Sequence, residues 1–367
     1  MLGGTGVFGR RIAANLAKRE ELDLVIAGRD GSAAAALVRT LGAGRASSLA
    51  VDLGKADAIT RLLAAKPAVI VDTAGPFQAR NLALPRRCAE RGIHYVDVAD
   101  GRERVAGIAA LDATARVNHV AVVSGASTVP ALTTAIVDEL APNPREVIAI
   151  DVGITPAQRV PRGLATASSV LGYCGREIPA VAPGGDEVRG WGDLVQHDYP
   201  APVGPRWLSN VDTPERALWP TRYPALEDGW IRAGLGVAPL HLGLGLLAGG
   251  VRLGVLPSLS RFARPLLRVA GWFDALGNDA GAMHVRVTMR DGHARTATRE
   301  AVLVAENGDG PQVPAAPAAV VVKKLLGLPG YAPLEKRGAF PCVGVLTREE
   351  ILGELKDFAV RWIPPRK

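Results

Sequence analysis

Cysteine is scarce in this 367-residue chain, which has only Cys88, Cys174 and Cys342. An odd number without CxxC spacing argues against a disulfide framework and against a zinc site. Aromatic residues reach only 5%, and no basic block with interleaved aromatics is present, so no nucleic-acid partner is expected. No Ser–His–Asp order, metal-ligand spacing or paired-carboxylate pattern stands out, which leaves hydrolase readings unsupported and no metal expected. The stretch 233–251, "AGLGVAPLHLGLGLLAGGV", lacks Asp, Glu, Lys and Arg altogether. Its length could span a bilayer, yet glycines, Pro239 and His241 interrupt it, and hydrophilic, strand-like sequence lies on both sides. A buried or subunit-interface helix is expected, with His241 a satisfied buried histidine. A peripheral, monotopic membrane contact and a true span are the alternatives.

What is present reads as a soluble globular protein: 48% hydrophobic and 22% charged residues, in a chain long enough for two domains. The net charge of +7 would attract phosphate-bearing ligands, although many arginine-rich proteins are basic without binding anything acidic. The chain opens inside its first motif with no leader ahead of it, so the cytoplasm is the expected location. Short apolar runs at 22–28, 48–53, 68–75, 94–100 and 119–125 read as buried strands of a parallel sheet. Between them, 31–42, 55–65, 79–92 and 102–117 have helical periodicity. Such alternation predicts an α/β fold of right-handed βαβ units, a doubly wound Rossmann-type sheet over 1–126. After Gly125 the rhythm changes. A helix is expected at 130–141 and a strand at 146–154, and 177–232 reads as irregular strands and loops without a long helix, with a covering flap over a site as one reading. A hairpin at 282–307 should turn tightly on Asp291-Gly292. A helix is expected near Pro317, and 347–362 reads as a final amphipathic helix capped by Thr347 and Glu350.

The informative stretch is the opening, "MLGGTGVFGRR". Gly4-Thr5-Gly6-Val7-Phe8-Gly9 satisfies G-x-G-x-x-G, and Gly3 extends it. One glycine permits the tight turn, one lets backbone approach a pyrophosphate, and the last lets the following helix pack on the sheet. The helix start near Phe8 then offers free N–H groups and a positive dipole end to phosphates. At the tip of the second strand, "VIAGRD", Arg29 precedes Asp30. A guanidinium suits a 2′-phosphate, so NADP is favoured over NAD; otherwise Arg29 is a solvated loop residue and Asp30, with Ser32, a helix cap. Asp52 and Leu53 end the third strand, where the adenine edge usually lies. Thr73, Ala74, Gly75 and Pro76 end the fourth, beside the expected nicotinamide half.

Only Met1 and Leu2 precede the turn, although the strand before it is central in this topology. An empty slot would leave two rows of buried backbone groups unpaired, at about 1–3 kcal/mol per group. The expectation is therefore a truncated first strand, with about five to eight further apolar residues upstream in a natural version, unless another segment fills the slot. The chain as given is expected to fold weakly.

"GGTGVFG", "AGRD", "DTAGPF", "YVDVADG" and "SGASTVPALTT", with the later "GDGPQVPAAPA" and "GAFPCVGVLTREEIL", resemble the saccharopine dehydrogenase-like oxidoreductases in order and spacing. That resemblance implies an NADP(H)-binding domain and a second α+β mixed-sheet domain at 127–310 that holds substrate and often a dimer contact. It also implies that 311–367 returns to the first domain, and that the chain forms a homodimer. The family's usual GPY is Gly75-Pro76-Phe77 here, and Ser127 stands where an aspartate is usual. The lost phenol and carboxylate argue against saccharopine chemistry itself. Catalytic residues are therefore unassigned, with Tyr95 and Asp97 as weak relay candidates whose alternatives are a core tyrosine and a loop cap. Tyr173, Cys174 and His197 are weaker still. Three functions remain: an NADP-dependent oxidoreductase for a small or lipophilic carbonyl, imine or alcohol; a non-catalytic NADP-binding sensor or interaction protein; or a membrane-surface protein using 233–251.

Overall fold

The computed structural model describes residues 1–42, 44–78 and 80–365. It divides into two units, Met1–Leu132 with Pro311–Glu354, and Thr133–Gly310 with Leu355–Lys367.

In the first unit, apolar runs form parallel strands β1 (Leu24–Gly28), β3 (Val69–Asp72), β4 (His94–Asp97) and β5 (Ala121–Ser124), whereas the strand expected buried at 48–53 is the edge strand β2 (Ala46–Ala50), Ala-Ser-Ser-Leu-Ala, with no buried residue. Gly338–Pro341 adds in parallel beside β5. Met1–Gly3 lie between β1 and β3. Leu2 bridges both in parallel, its N–H donating to Val71 O and its carbonyl accepting from Thr73 N, while Gly3 N donates to Ala27 O. Counting that slot as the first position, the order is 3-2-1-4-5-6, the dinucleotide-binding arrangement. Helix α1 (Gly9–Ala17) follows the glycine turn and buries Ile12, Ala13 and Leu16. Full burial of Ile12 and Leu16 contributes about 1.5–3 kcal/mol each. The expected helix at 79–92 covers Ala83–Glu90, and residue 79 lies outside the described residues. The later segment is tied to the first by a buried polar cluster. Lys323, on the wholly buried helix Ala316–Leu325, pairs with Glu354 at 2.6 Å, and Asn15 Nδ2 donates to the same carboxylate at 2.6 Å.

The second unit is built on a seven-stranded mixed sheet. Its order is Val360–Ile363, Thr296–Ala305, Gly281–Arg290, β6 (Val147–Thr155), Asp228–Gly234, Gly204–Asn210, Val195–Tyr199. Only β6 and Asp228–Gly234 pair in parallel.

Several expectations are corrected. Residues 177–232 do supply strands, but as part of the sheet rather than a flap: Val195–Tyr199, Gly204–Asn210 and most of Asp228–Gly234 belong to its seven strands. The Thr347–Glu350 capping box forms, but its helix stops at Gly353. The chain then becomes strand Val360–Ile363, paired to Thr296–Ala305. That edge pairing satisfies backbone groups a longer helix would leave there exposed, and it groups the described residues 355–365 with the second unit. The hairpin turns through five residues, not two. Asp291 Oδ1 accepts from His293 N and Arg295 N, and Ala294 takes the left-handed conformation. Finally, of the two readings joined for 233–251, the helix buried within its own chain does not hold, since only His241 and Ala248 of Ala238–Arg252 are buried; the subunit-interface reading concerns a second copy. Among the described residues, no helix is long and apolar enough to cross a membrane.

Candidate functional site

In the first unit, four loops leave the carboxyl ends of parallel strands at one edge of the sheet: the glycine turn after Leu2, Arg29–Asp30 after β1, Asp52–Leu53 after β2, and Thr73–Pro76 after β3. The turn is held from beneath by Thr73, whose Oγ1 lies 2.9 Å from the Leu2 and Gly3 carbonyls. Gly3 sits at φ +72°, and a Cβ there would come within 2.8 Å of Ala74 N. At Gly9 a Cβ would stand 2.3 Å from Gly3 O. Gly6 is different: a Cβ would meet only Gly3 O, at 3.2 Å, and the residue is exposed. Packing therefore demands Gly3 and Gly9, whereas Gly6 keeps an open backbone where a ligand can approach. Thr5, Val7 and Phe8 are partly exposed around it.

The polarity of this turn is one-sided. Arg10 donates to Thr5 O at 2.8 Å and Arg11 to Val7 O at 2.6 Å, so loop carbonyls are occupied by guanidinium groups. Among the described residues, no side chain caps the N-terminus of α1. A helix start without a side-chain cap, its positive dipole end and two arginines fit a diphosphate. Asp30 caps helix α2 (Gly31–Leu41): its Oδ1 accepts from Ser32 Oγ at 2.6 Å and Ala33 N at 3.0 Å. Those bonds hold its carboxyl below the usual range. Arg29 is exposed and has no hydrogen-bond or ion-pair partner among the described residues. A committed carboxylate beside an uncommitted guanidinium suits a phosphate more than a ribose hydroxyl. Asp52 accepts from Gly54 N in its own turn, and Leu53 packs on the core. Ala74 N is held by Asp72, Gly75 is partly exposed, and Pro76 is exposed.

Tyr95 and Asp97 do not face solvent. Both are fully buried (0% exposed) in a network that sequence reasoning missed. Tyr95 Oη donates toward Asp72 Oδ2 at 3.0 Å and lies 3.2 Å from Asp97 Oδ2. Arg104 reaches Tyr95 Oη at 3.0 Å and Asp97 Oδ2 at 3.4 Å, while Arg80 grips Asp72 with contacts of 2.8 and 3.0 Å. Burial pushes Tyr95 well up and Asp97 up, the latter against the opposing pull of Arg104. The geometry corrects the relay reading: these groups anchor the ends of β3 and β4. The signal available was the pair of apolar runs each ending in aspartate, "VIVD" and "HYVD". Phe77 lies between Arg80 and Arg104, 5.4 and 5.9 Å from its ring centre, and Ser127 Oγ donates to Pro314 O. The residues at both departures from the family pattern are therefore buried structural groups.

The second unit has its own polar pocket, of about 260 Å³, lined by Asp151, His197, Arg232, His284 and Arg286 among others. Of these only His197 was singled out from sequence. His284 fits because residue 153 is glycine, where a Cβ would stand 2.4 Å from its ring. Its Nδ1 bonds Tyr199 Oη at 2.9 Å, its Nε2 lies 3.8 Å from Asp151 Oδ2, and its ring stacks on His197 at 3.8 Å. Burial pushes Asp151 up, but His284, Arg232 and Arg286 outweigh that and hold it below its usual range. The arrangement can hold a small polar group. Tyr173 is partly buried at the end of helix Leu164–Tyr173. The three cysteines are free and buried, their thiols pushed up to about 12 chiefly by burial, so none is a nucleophile at neutral pH.

Burial, with the adjacent His284, pushes His197 down to about 4, and burial alone pushes His241 down to about 4, from 6.5. Folded values below unfolded ones mean that the unfolded chain binds more protons between about pH 6.5 and 4. Stability of the second unit should fall as pH drops through that window, where the ordinary carboxylates are still ionised. All six tryptophans, Trp191 to Trp362, belong to this unit, so tryptophan-detected melts isolate it. A midpoint unchanged from pH 7 to 4.5, or the same fall in a His197→Gln/His241→Gln variant, would refute the assignment.

Residues 1–129 match the family model described as saccharopine dehydrogenase NADP binding domain. A search of curated protein sequences finds no match. Among solved structures, the chain is similar to apo saccharopine dehydrogenase (L-Glu forming) from Saccharomyces cerevisiae. Identity is 14%, coverage 99% of this chain and 98% of that one, and the TM-score 0.66. An amine dehydrogenase from Mycobacterium smegmatis is a looser match, at 12% identity, 94% coverage of each chain and a TM-score of 0.41. The glycine turn, the strand order and the uncommitted Arg29 agree with that match: residues 1–129 form an NADP(H)-binding domain similar to that of saccharopine dehydrogenase, and the chain has a saccharopine dehydrogenase-like fold.

Proposed function

We propose that the protein is an NADP(H)-dependent oxidoreductase acting on a small or lipophilic carbonyl, imine or alcohol. Bound NADPH supplies the hydride. In this reading Gly3, Thr5, Gly6, Val7, Phe8 and Gly9 cradle the diphosphate, with Arg10 and Arg11 adding positive charge from behind. Arg29 takes the 2′-phosphate, while Asp30 fixes the start of α2 and so the direction in which Arg29 projects. Asp52 and Leu53 border the adenine, and Thr73, Ala74, Gly75 and Pro76 form a close-approaching loop for the nicotinamide half. The observation that carries the cofactor assignment is the pairing of an unpartnered Arg29 with an Asp30 already spent as a helix cap.

A second reading, binding without turnover, is favoured by the burial of Tyr95 and Asp97, which leaves no relay group among the sequence candidates of the first unit. Fluorescence titration with NADPH and NADH, followed by NADPH oxidation across a panel of carbonyls and imines, separates the two. Tight NADPH binding with turnover supports the enzyme, whereas binding without any turnover supports the sensor. Arg29→Ser should weaken NADPH by about tenfold or more, the worth of a charged hydrogen bond, and leave NADH unchanged. Equal loss for both nucleotides would remove Arg29 from the 2′-phosphate.

A further inference from the structure

We propose that the segment running from Ala238 to Leu276 docks the second unit on an anionic lipid bilayer. This surface is remote in sequence from the nucleotide turn, and its docking role is independent of whether the chain turns over a substrate.

Exposed apolar side chains are concentrated there. Ten large hydrophobic residues are exposed among the described residues, and seven lie between Leu242 and Leu276. On helix Ala238–Arg252, Leu242 and Leu246 recur at a spacing of four, and Leu246 is 80% exposed. Gly243, Gly245 and Gly249 share the helix, and a Cβ added at any of them would meet nothing within 4 Å. No other part of the second unit therefore covers those positions. The chain then folds back, with Val255 N and Leu256 N both donating to Gly250 O. This leaves Leu253 and Val255 exposed beyond the helix end. On the next helix, Ala263–Trp272, the residues Arg264, Arg268 and Trp272 recur at a spacing of four and are all exposed.

Charge selects the occupant. No Asp or Glu occurs between Asp228 and Asp274, whereas Arg252, Arg261, Arg264 and Arg268 are all exposed in that interval. Two copies meeting through this face would set arginine against arginine with no carboxylate to receive either. An anionic headgroup layer supplies the missing charge, and the acyl boundary beneath it takes the leucines. Trp272, 73% exposed beside the arginines, is the residue type that favours the headgroup level. A 15-residue helix is too short to span and lies on the surface.

The test is co-sedimentation of the full chain with vesicles of phosphatidylcholine mixed with phosphatidylglycerol, against phosphatidylcholine alone, at low and high salt. NADPH affinity serves as the folding control. The wild type should pellet with the anionic vesicles, less so at high salt. Leu246→Glu/Leu253→Glu should lower partitioning about tenfold or more. Arg264→Glu/Arg268→Glu should erase the preference for phosphatidylglycerol, since each juxtamembrane cation is worth about a fivefold change. All three chains should bind NADPH equally. A folded, NADPH-binding wild type that stays in the supernatant at low salt overturns the proposal, as does equal pelleting of wild type and both variants. A dimer dissolved by Leu246→Glu, with no vesicle binding, would instead give the face to a second copy.

Discussion

Gly9→Ala should be among the most damaging single substitutions in the first unit, in both stability and nucleotide affinity. Its Cβ would stand 2.3 Å from Gly3 O, 2.7 Å from Thr73 Oγ1 and 2.8 Å from Gly4 Cα. Two of those three are backbone atoms, so relief requires α1 to withdraw from the sheet or the turn to move. Overpacking of this kind costs about 1–3 kcal/mol, and rigid backbone neighbours put this case at the upper end. Moving the turn also spoils the diphosphate cradle, so NADPH affinity should fall about 100-fold, or roughly 2.7 kcal/mol. Gly6→Ala separates the two effects. Its single contact, at 3.2 Å, can relax by a few tenths of an ångström, and stability should stay within about 0.5 kcal/mol. Its methyl group nevertheless occupies the approach to the diphosphate, so affinity should drop about tenfold or more. Thermal melts and NADPH titrations on the two variants check both statements. Wild-type affinity in Gly6→Ala would remove the turn from the phosphate site, and a wild-type melt in Gly9→Ala would refute the packing argument.

Arg104→Leu should destabilise the first unit by about 3–5 kcal/mol, the usual result of removing one partner from a buried ion pair. The guanidinium is 2% exposed, and besides Tyr95 and Asp97 it donates to Asn81 O at 2.6 Å. Without it the fully buried Asp97 carboxylate keeps no cation, only the neutral donors Tyr95 Oη, Ser124 Oγ and the N–H groups of Ala99 and Gly125. The loss should depend on pH. Asp97 already has a folded pKa above its unfolded value, chiefly through burial, so the folded state binds more protons as pH rises through that interval. Stability therefore falls with rising pH there. Removing Arg104 raises the folded value further and widens the window. The variant should lie closer to wild type at pH 5 than at pH 7, and Asp97→Asn in the same chain should recover part of the deficit. An equal deficit at both pH values would show that Asp97 is not the group responsible.

Much of the nucleotide domain was legible because its signals are local. Strand–helix alternation follows from runs of buried apolar residues, and the glycine turn follows from steric demands within a few residues. The Asp30 cap was readable for the same reason, since its partners are Ser32 and Ala33. Tyr95 and Asp97 show the limit. Their spacing placed them on one side of β4, and they do meet, but whether that side faced a cleft or a buried network depended on Arg80, Arg104 and Asp72. The segment 347–362 failed for a related reason. Its capping box formed as read, yet the edge of Thr296–Ala305 offered a strand's partner that no local pattern revealed.

By itself, then, the sequence determined the doubly wound architecture, the glycine turn with its uncapped helix start, and the Arg29–Asp30 choice. Each rests on residues within one turn or one strand of each other, where sterics and hydrogen-bond reach act without help. Only the tertiary structure decided three further things. It buried the Asp72–Tyr95–Asp97 cluster between two arginines, brought His197 onto His284 across 87 positions of sequence, and left the acid-free 242–272 surface uncovered. A contact between distant residues, or the lack of one, is settled by how the sheets and helices pack, and local periodicity carries no record of it.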